Sequence, residues 1–215
     1  MILHIETSTK VCSVALSIDG KMVAIKEDGS DGFTHAENLT VFIDELVSIS
    51  GNNYSDLKAI SVASGPGSYT GLRIGVSTAK GLCYALGIPL IAVDSLLSLA
   101  HQMKGNNAVN LCPVIDARRM EVYSAIYSPD LSILKKISAD VIHADSYQDF
   151  GKIMVAGDGA EKLKEIWAER KDVIFNDDVL ASALGQIQEA WRKYNQKDFE
   201  NLAYFEPIYL KTIAK

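Results

Sequence analysis

Three glycines and a proline fall within the eight residues SGPGSYTG at 64–71, and this stretch restricts the local chain path more than any other. It follows the apolar run 58–63, of strand character, and precedes Leu72 to Leu86, whose helical spacing ends at Gly87. The segment is therefore a tight strand-to-helix turn. Its backbone N–H groups and the helix N-terminus behind them could hold an anion. A phosphate-binding loop of the G-x-x-x-x-G-K-[ST] type fails, because Leu72 follows Gly71. A dinucleotide fingerprint fits better: Gly65, Gly67 and Gly71 follow a strand, open a helix and precede Asp94 at the end of the next strand. Against it, the third glycine comes one residue late. A further reading looks along the helix, where Gly71, Gly75, Ala79, Cys83 and Gly87 recur at every fourth residue. Such a row makes a shallow groove that admits another helix, or else seats the helix closely on its own sheet.

Around this turn the pattern is that of an α/β protein. Residues 2–6, 11–18 and 21–27 alternate as three strands, the last two joined by the hairpin signal Asp19-Gly20. Thr34 and Glu37 form a capping box ahead of a helix over 36–50, and His35 sits in its first turn. Leu39, Phe42, Ile43 and Leu46 belong to an apolar arc of roughly 160°, wider than the stripe of about 100° that seats a helix on one core. Left exposed they would be unfavourable, each being worth roughly 1.5–3 kcal/mol when buried. The arc and the small-residue row, with Leu82 beside it, point to a helical interface. A strand at 89–93 and a helix at 95–103 follow, and the polar MKGNN at 103–107 is the best linker. It divides the chain into 1–105 and 106–215. Beyond it, strands are expected at 109–115, 120–127, 131–138 and 152–156, and helices near 160–169 and at 179–194.

The formal net charge of −6 argues against direct nucleic-acid binding, which needs a basic face. Cys12, Cys83 and Cys112 lie in apolar stretches without paired metal-type spacing, which suits a reducing cytosol. The most apolar stretch, 82–100, is broken by Gly87, Pro89 and Asp94, so no membrane span is expected. His4, His35, His101 and His143 are scattered, and each reads better as a core, capping or surface residue than as a ligand or base. Asp116, Arg118, Arg119 and Glu121 crowd a strand-turn-strand junction, where salt bridges that fix the turn are the simpler reading. No G-x-S-x-G elbow is present, and Ser68 has no evident His and acid partners.

In order and spacing, the opening ILHIETST, GPGSYTGLRIG at 65–75, IDARRMEVY at 115–123 and EPIYL at 206–210 resemble the bacterial TsaB (YeaZ) family over nearly the whole chain. The resemblance implies two actin-like (ribonuclease H-like) α/β domains, each a mixed sheet flanked by helices. It implies a non-catalytic scaffold or activator, needed for threonylcarbamoyladenosine modification of tRNA at the adenosine next to the anticodon and acting through the catalytic relative TsaD. The small ATPase TsaE and a second copy of the chain are the other implied partners, with tRNA met indirectly and the cytoplasm as location. The superfamily's first hairpin commonly carries an Asp for Mg-phosphate chemistry, where this chain has Glu6. The relative's two metal-binding histidines align with Ser95 and Leu99, which cannot ligate a metal in that way. No catalytic, cofactor or metal residue is therefore expected, and a nucleotide would lodge only at the junction with the partner subunit. The interface expected is His35, Leu39, Phe42, Ile43, Leu46, Gly71, Gly75, Ala79 and Leu82, beside a loop of Gly65, Gly67, Ser68, Tyr69 and Arg73. The alternative is a free-standing nucleotide-binding enzyme that uses loop 65–71.

Overall fold

The computed structural model describes residues 1–29, 35–105 and 109–211. The N-terminal meander is β1 (Ile2–Glu6), β2 (Cys12–Ile18) and β3 (Lys21–Asp28), followed by α1 (His35–Ile49), β4 (Ala59–Ala63), α2 (Tyr69–Leu86) and β5 (Leu90–Val93). These strands form one sheet in the order β3-β2-β1-β4-β5, antiparallel through the meander and parallel from β1 to β5. After α3 (Ser95–Met103), the strands β6 (Asn110–Asp116), β7 (Glu121–Tyr127), β8 (Ile133–Val141), β9 (Ile153–Ala156) and β10 (Val173–Phe175) form a second sheet. Its order, β10-β9-β6-β7-β8, repeats the first: three antiparallel strands, then two added parallel beside the first of them. The two mixed sheets flanked by helices are thus present as expected, and the repeat that the letters hide is visible in the topology. The described residues close with α4 (Ile187–Gln196) and an irregular segment that runs to Lys211.

Several elements depart from the pattern read in the sequence. The stretch 160–169 is not an α-helix but a single 3-10 turn, Glu161–Leu163, followed by further turns and anchored by Trp167, whose Nε1–H donates to the His143 carbonyl at 2.9 Å. The helix expected from 179 starts only at Ile187, after a 3-10 turn over Ala183–Gln186. Close approach explains the delay, since a Cβ on Gly185 would lie 2.1 Å from the Ser98 carbonyl oxygen. The three-residue β10 was too short to be seen as a run. Thr34, and with it the expected capping box, lies outside the described residues, as do 106 and 107 of the expected linker.

The apolar arc of α1 is not left open. Leu39, Phe42, Ile43 and Leu46 are all buried in one core with Leu3, Val14, Leu16, Ile60 and Val76, so α1 spends its wide face on β2, β3 and α2. This removes the argument from exposed side chains. The opposite face of the first sheet is covered by α4, through Ala190, Trp191 and Tyr194 against Ile2, Ala59, Ile91 and Val93. In turn α3, which precedes the second sheet in the chain, buries Leu96, Leu99, Ala100 and Met103 against Leu111, Ile115, Ala125 and Met154 of that sheet. Each sheet is therefore completed by a helix from the other side of residue 105. Among the described residues, no helix is long and apolar enough to cross a membrane.

Candidate functional site

The C-terminal end of β1 meets the glycine turn and the N-terminus of α2. Glu6, fully buried, accepts from the Ser8 N–H at 2.7 Å and from the Gln186 side-chain amide at 3.4 Å, while burial pushes its carboxyl above the usual range. Gln186 lies buried beside it: its Nε2 also donates to the Ile5 carbonyl at 2.8 Å, and its Oε1 accepts from the Ser61 hydroxyl at 2.6 Å. Asp94 caps α3 by accepting from the Leu97 N–H at 2.9 Å, and burial raises its pKa to about 6. Both carboxylates that a nucleotide reading would recruit are engaged with the protein's own backbone.

The glycines of the turn are equally committed. A Cβ on Gly67 would lie 2.3 Å from the Ser8 carbonyl oxygen, one on Gly71 2.1 Å from that of Thr7, and one on Gly75 2.3 Å from the Thr7 hydroxyl. Gly65, at φ +97, turns its Cβ direction onto the Ile208 carbonyl oxygen at 2.7 Å. Three N–H groups of the turn are bonded within the chain: Ser68 N–H donates to the Ser8 carbonyl at 2.6 Å, Gly71 N–H to the Ser68 hydroxyl at 3.2 Å and Leu72 N–H to the Ser68 carbonyl at 2.9 Å. The outer side of the turn is covered by the C-terminal segment, where Ile208 N–H donates to the Ser64 carbonyl at 2.8 Å and the Tyr209 ring stands 5.0 Å from that of Tyr69. The Arg73 guanidinium lies over the other side of Tyr69 at 4.0 Å. The small residues at these positions serve close packing within the chain.

The same geometry corrects the groove. Gly71, Gly75, Ala79 and Cys83 are buried and seat α2 on β1 and β4, and Leu82 packs half-buried against the same core. The row that faces solvent lies two residues out of phase: Arg73, Ser77, Gly81 and Ala85, with Tyr84 84% exposed beside it. A Cβ on Gly81 would meet no atom within 4 Å. On α1 the outward apolar residues are Val41 and Ile49, the latter 77% exposed. The period of four marks this second row in the sequence as well, although its mix of Arg, Ser, Gly and Ala draws less notice than glycines alone.

Of the four histidines, two are buried, and one of these, His35, was expected at the partner interface and instead faces inward. His4 is buried, its Nε2 2.7 Å from the Ser17 hydroxyl, and burial lowers its pKa to about 3. His35 is buried with Nε2 2.8 Å from the Thr9 carbonyl oxygen, and burial lowers its pKa as well. His101 is half-buried and His143 exposed. Ser95 and Leu99 are both buried on α3, Leu99 within the second core. Among the described residues, no group of three or more His, Cys, Asp or Glu is placed to hold a metal ion.

In IDARRMEVY, the β6–β7 hairpin turns through two left-handed residues, Arg118 at φ +67 and Arg119 at φ +50. Asp116 accepts from the Arg118 N–H at 2.7 Å, while the ion pairs at the turn come from Lys162 to Asp116 and from Lys211 to Glu121. The expectation of bridging by the arginines is thus corrected: lysines from elsewhere hold the turn.

The family model described as TsaD, tRNA N6-adenosine threonylcarbamoyltransferase, matches residues 33–212. The tRNA threonylcarbamoyladenosine biosynthesis protein TsaB of Escherichia coli K12 is 29% identical over 98% of this chain and 94% of its own length. Its namesake from Haemophilus influenzae is also 29% identical, over 98% and 93%. Among solved structures, YeaZ from Pseudomonas aeruginosa superposes with a TM-score of 0.83 at 25% identity, covering 97% of this chain and 99% of that one.

Proposed function

Because the chain belongs to the tRNA N6-adenosine threonylcarbamoyltransferase (TsaD) family and within it is a relative of the bacterial TsaB (YeaZ) proteins, we propose that it serves threonylcarbamoyladenosine formation in tRNA as an accessory subunit. On this reading it acts as a scaffold or activator for a TsaD-type catalytic partner. TsaE-type ATPase and a second copy of the chain are its other partners, tRNA is met through the complex, and the cytoplasm is its place. The observation that carries the reading is the near full-length match to proteins named TsaB, together with the Glu6 position, where Gln186 occupies the space beside the carboxylate.

The pairing surface on this reading is the outward side of α1 and α2, and not the inward residues that the sequence pattern singled out. Tyr84, Gly81 and Ala85 on α2 and Ile49 on α1 are exposed, and apolar side chains so exposed favour cover by another protein. A nucleotide, if it belongs to the complex, would sit at the subunit junction.

The deciding experiment is reconstitution of tRNA modification from purified TsaD-type and TsaE-type partners with and without this chain. Modification that needs the chain, together with no turnover by the chain alone, is the expected result. Full modification in its absence would overturn the proposal.

A further inference from the structure

The segment from Glu200 to Lys211 has no regular secondary structure, yet it touches both sheets. It starts at the edge of the first, where Glu200 N–H donates to the Leu90 carbonyl at 2.9 Å. Lys80 of α2 then holds two of its carbonyls, Ala203 at 3.3 Å and Phe205 at 3.1 Å. It crosses the glycine turn through Ile208 and Tyr209, and ends on the second sheet, where the Lys211 ammonium donates to the Ala117 carbonyl at 2.8 Å and pairs with Glu121. Its burial is shallow. Leu202 and Phe205 are partly buried against the first core, while Tyr204, Ile208, Tyr209 and Leu210 remain exposed. A segment with many polar contacts and little buried apolar area opens at lower free energy than the cores it touches.

We propose that Glu200–Lys211 is a releasable strap that couples α2, through Lys80, to the Arg118–Arg119 hairpin, through Lys211. The two sheets are already joined without the strap, because the Ala183–Gln186 turn bonds to the first sheet through Gln186 and packs on α3, which seats on the second. What it adds is a tie between the outward helix and the hairpin, closed by Lys80 on two carbonyls, the Ile208 N–H on the Ser64 carbonyl, the ring contact of Tyr209 with Tyr69, and Lys211 on the Ala117 carbonyl and Glu121. Loss of either end frees the other. This inference does not rest on the accessory-subunit reading.

The test is hydrogen exchange on the full-length protein and on three variants, Lys80→Met, Tyr209→Ala and Lys211→Gln. In each, exchange in 200–211 and in the hairpin 116–121 is expected to rise together by roughly tenfold or more, with β1, β4 and β9 unchanged. Lys80→Met is the decisive one, because its site lies at the far end of the strap from the hairpin. An unchanged hairpin in Lys80→Met would overturn the coupling. A rise across all strands in every variant would show the segment to be part of the global fold, and would overturn its separability.

Discussion

If α2 is seated on β1 by its inner row of small residues, Gly75→Ala and Gly71→Ala should both destabilise the protein, but by different amounts and with different remedies. At Gly75 the new methyl would stand 2.3 Å from the Thr7 hydroxyl, about 1 Å inside the distance at which ordinary contact begins. That hydroxyl donates to the Gly71 carbonyl at 2.8 Å, so rotating it away loses a hydrogen bond worth about 1 kcal/mol. Overpacking adds about 1–3 kcal/mol, and the gain in helix propensity from glycine to alanine returns about 1 kcal/mol. The net loss is about 1–3 kcal/mol. At Gly71 the obstacle is the Thr7 backbone oxygen at 2.1 Å, which cannot rotate away, and the loss should reach about 3 kcal/mol or more. Thr7→Ala removes the first obstacle and not the second. In urea titrations followed by circular dichroism, Thr7→Ala/Gly75→Ala should therefore be more stable than the sum of its single changes by about 1–2 kcal/mol, whereas Thr7→Ala/Gly71→Ala should show no such rescue. Gly75→Leu, larger still, should fail to give folded protein. A Gly75→Ala protein of unchanged stability, altered only in association, would refute the seating argument and restore the groove to a partner.

Two further outcomes are expected. The His4 imidazole, held neutral by burial with a pKa near 3, takes no proton in the folded state while the unfolded chain protonates below about 6.5, so this group lowers stability as pH falls. Asp94 works the other way: its folded pKa of about 6 exceeds the unfolded value, so the folded state gains stability as pH falls from about 6 to about 4. From pH ~6.5 to ~4.5, His4→Gln should thus lose about 2–3 kcal/mol less than the parent, and Asp94→Asn, which keeps a capping side chain, should lose more; equal acid sensitivity in all three proteins would contradict the assignment. On the outward face, Ala85→Arg should change stability by at most about 0.5 kcal/mol and Gly81→Arg should raise it by up to about 1 kcal/mol, yet both should weaken self-association and binding of a TsaD-type partner, measured by analytical ultracentrifugation and pull-down; unaltered association would take this strip of α2 out of the interface.

Much of the architecture was legible because it is written locally. The Asp19-Gly20 turn, the alternation of β2 and the Gly87 stop, which adopts φ +64 with its N–H on the Cys83 carbonyl, each act over a few residues. What the letters did not disclose is which face of a periodic element meets which neighbour. The width of the α1 arc is real, but β2, β3 and α2 together use all of it, and a helical wheel carries no information on how many surfaces surround it. The four-residue row on α2 was likewise real and assigned to the wrong side, since glycines permit close approach without saying to what. Gln186 escaped notice because its role depends on Ser61, Ile5 and Glu6, residues brought to it from more than a hundred positions away.

The exchange of helices between the sheets also bears on how the chain folds during synthesis. The back of the first sheet, complete in strands by Val93, stays bare until residues near 183–194 have been made, because Ala183 N–H reaches Ser13 across 170 residues and Ala190 and Trp191 close over Ile2 and Val93. At about 5–20 residues per second, that interval lasts on the order of 5–20 s. During it the nascent N-terminal half presents an uncovered apolar surface, and contacts of such long range slow the final closure. Translation pausing and chaperone occupancy in that window should therefore govern the yield of native protein more strongly than the stability of the finished molecule.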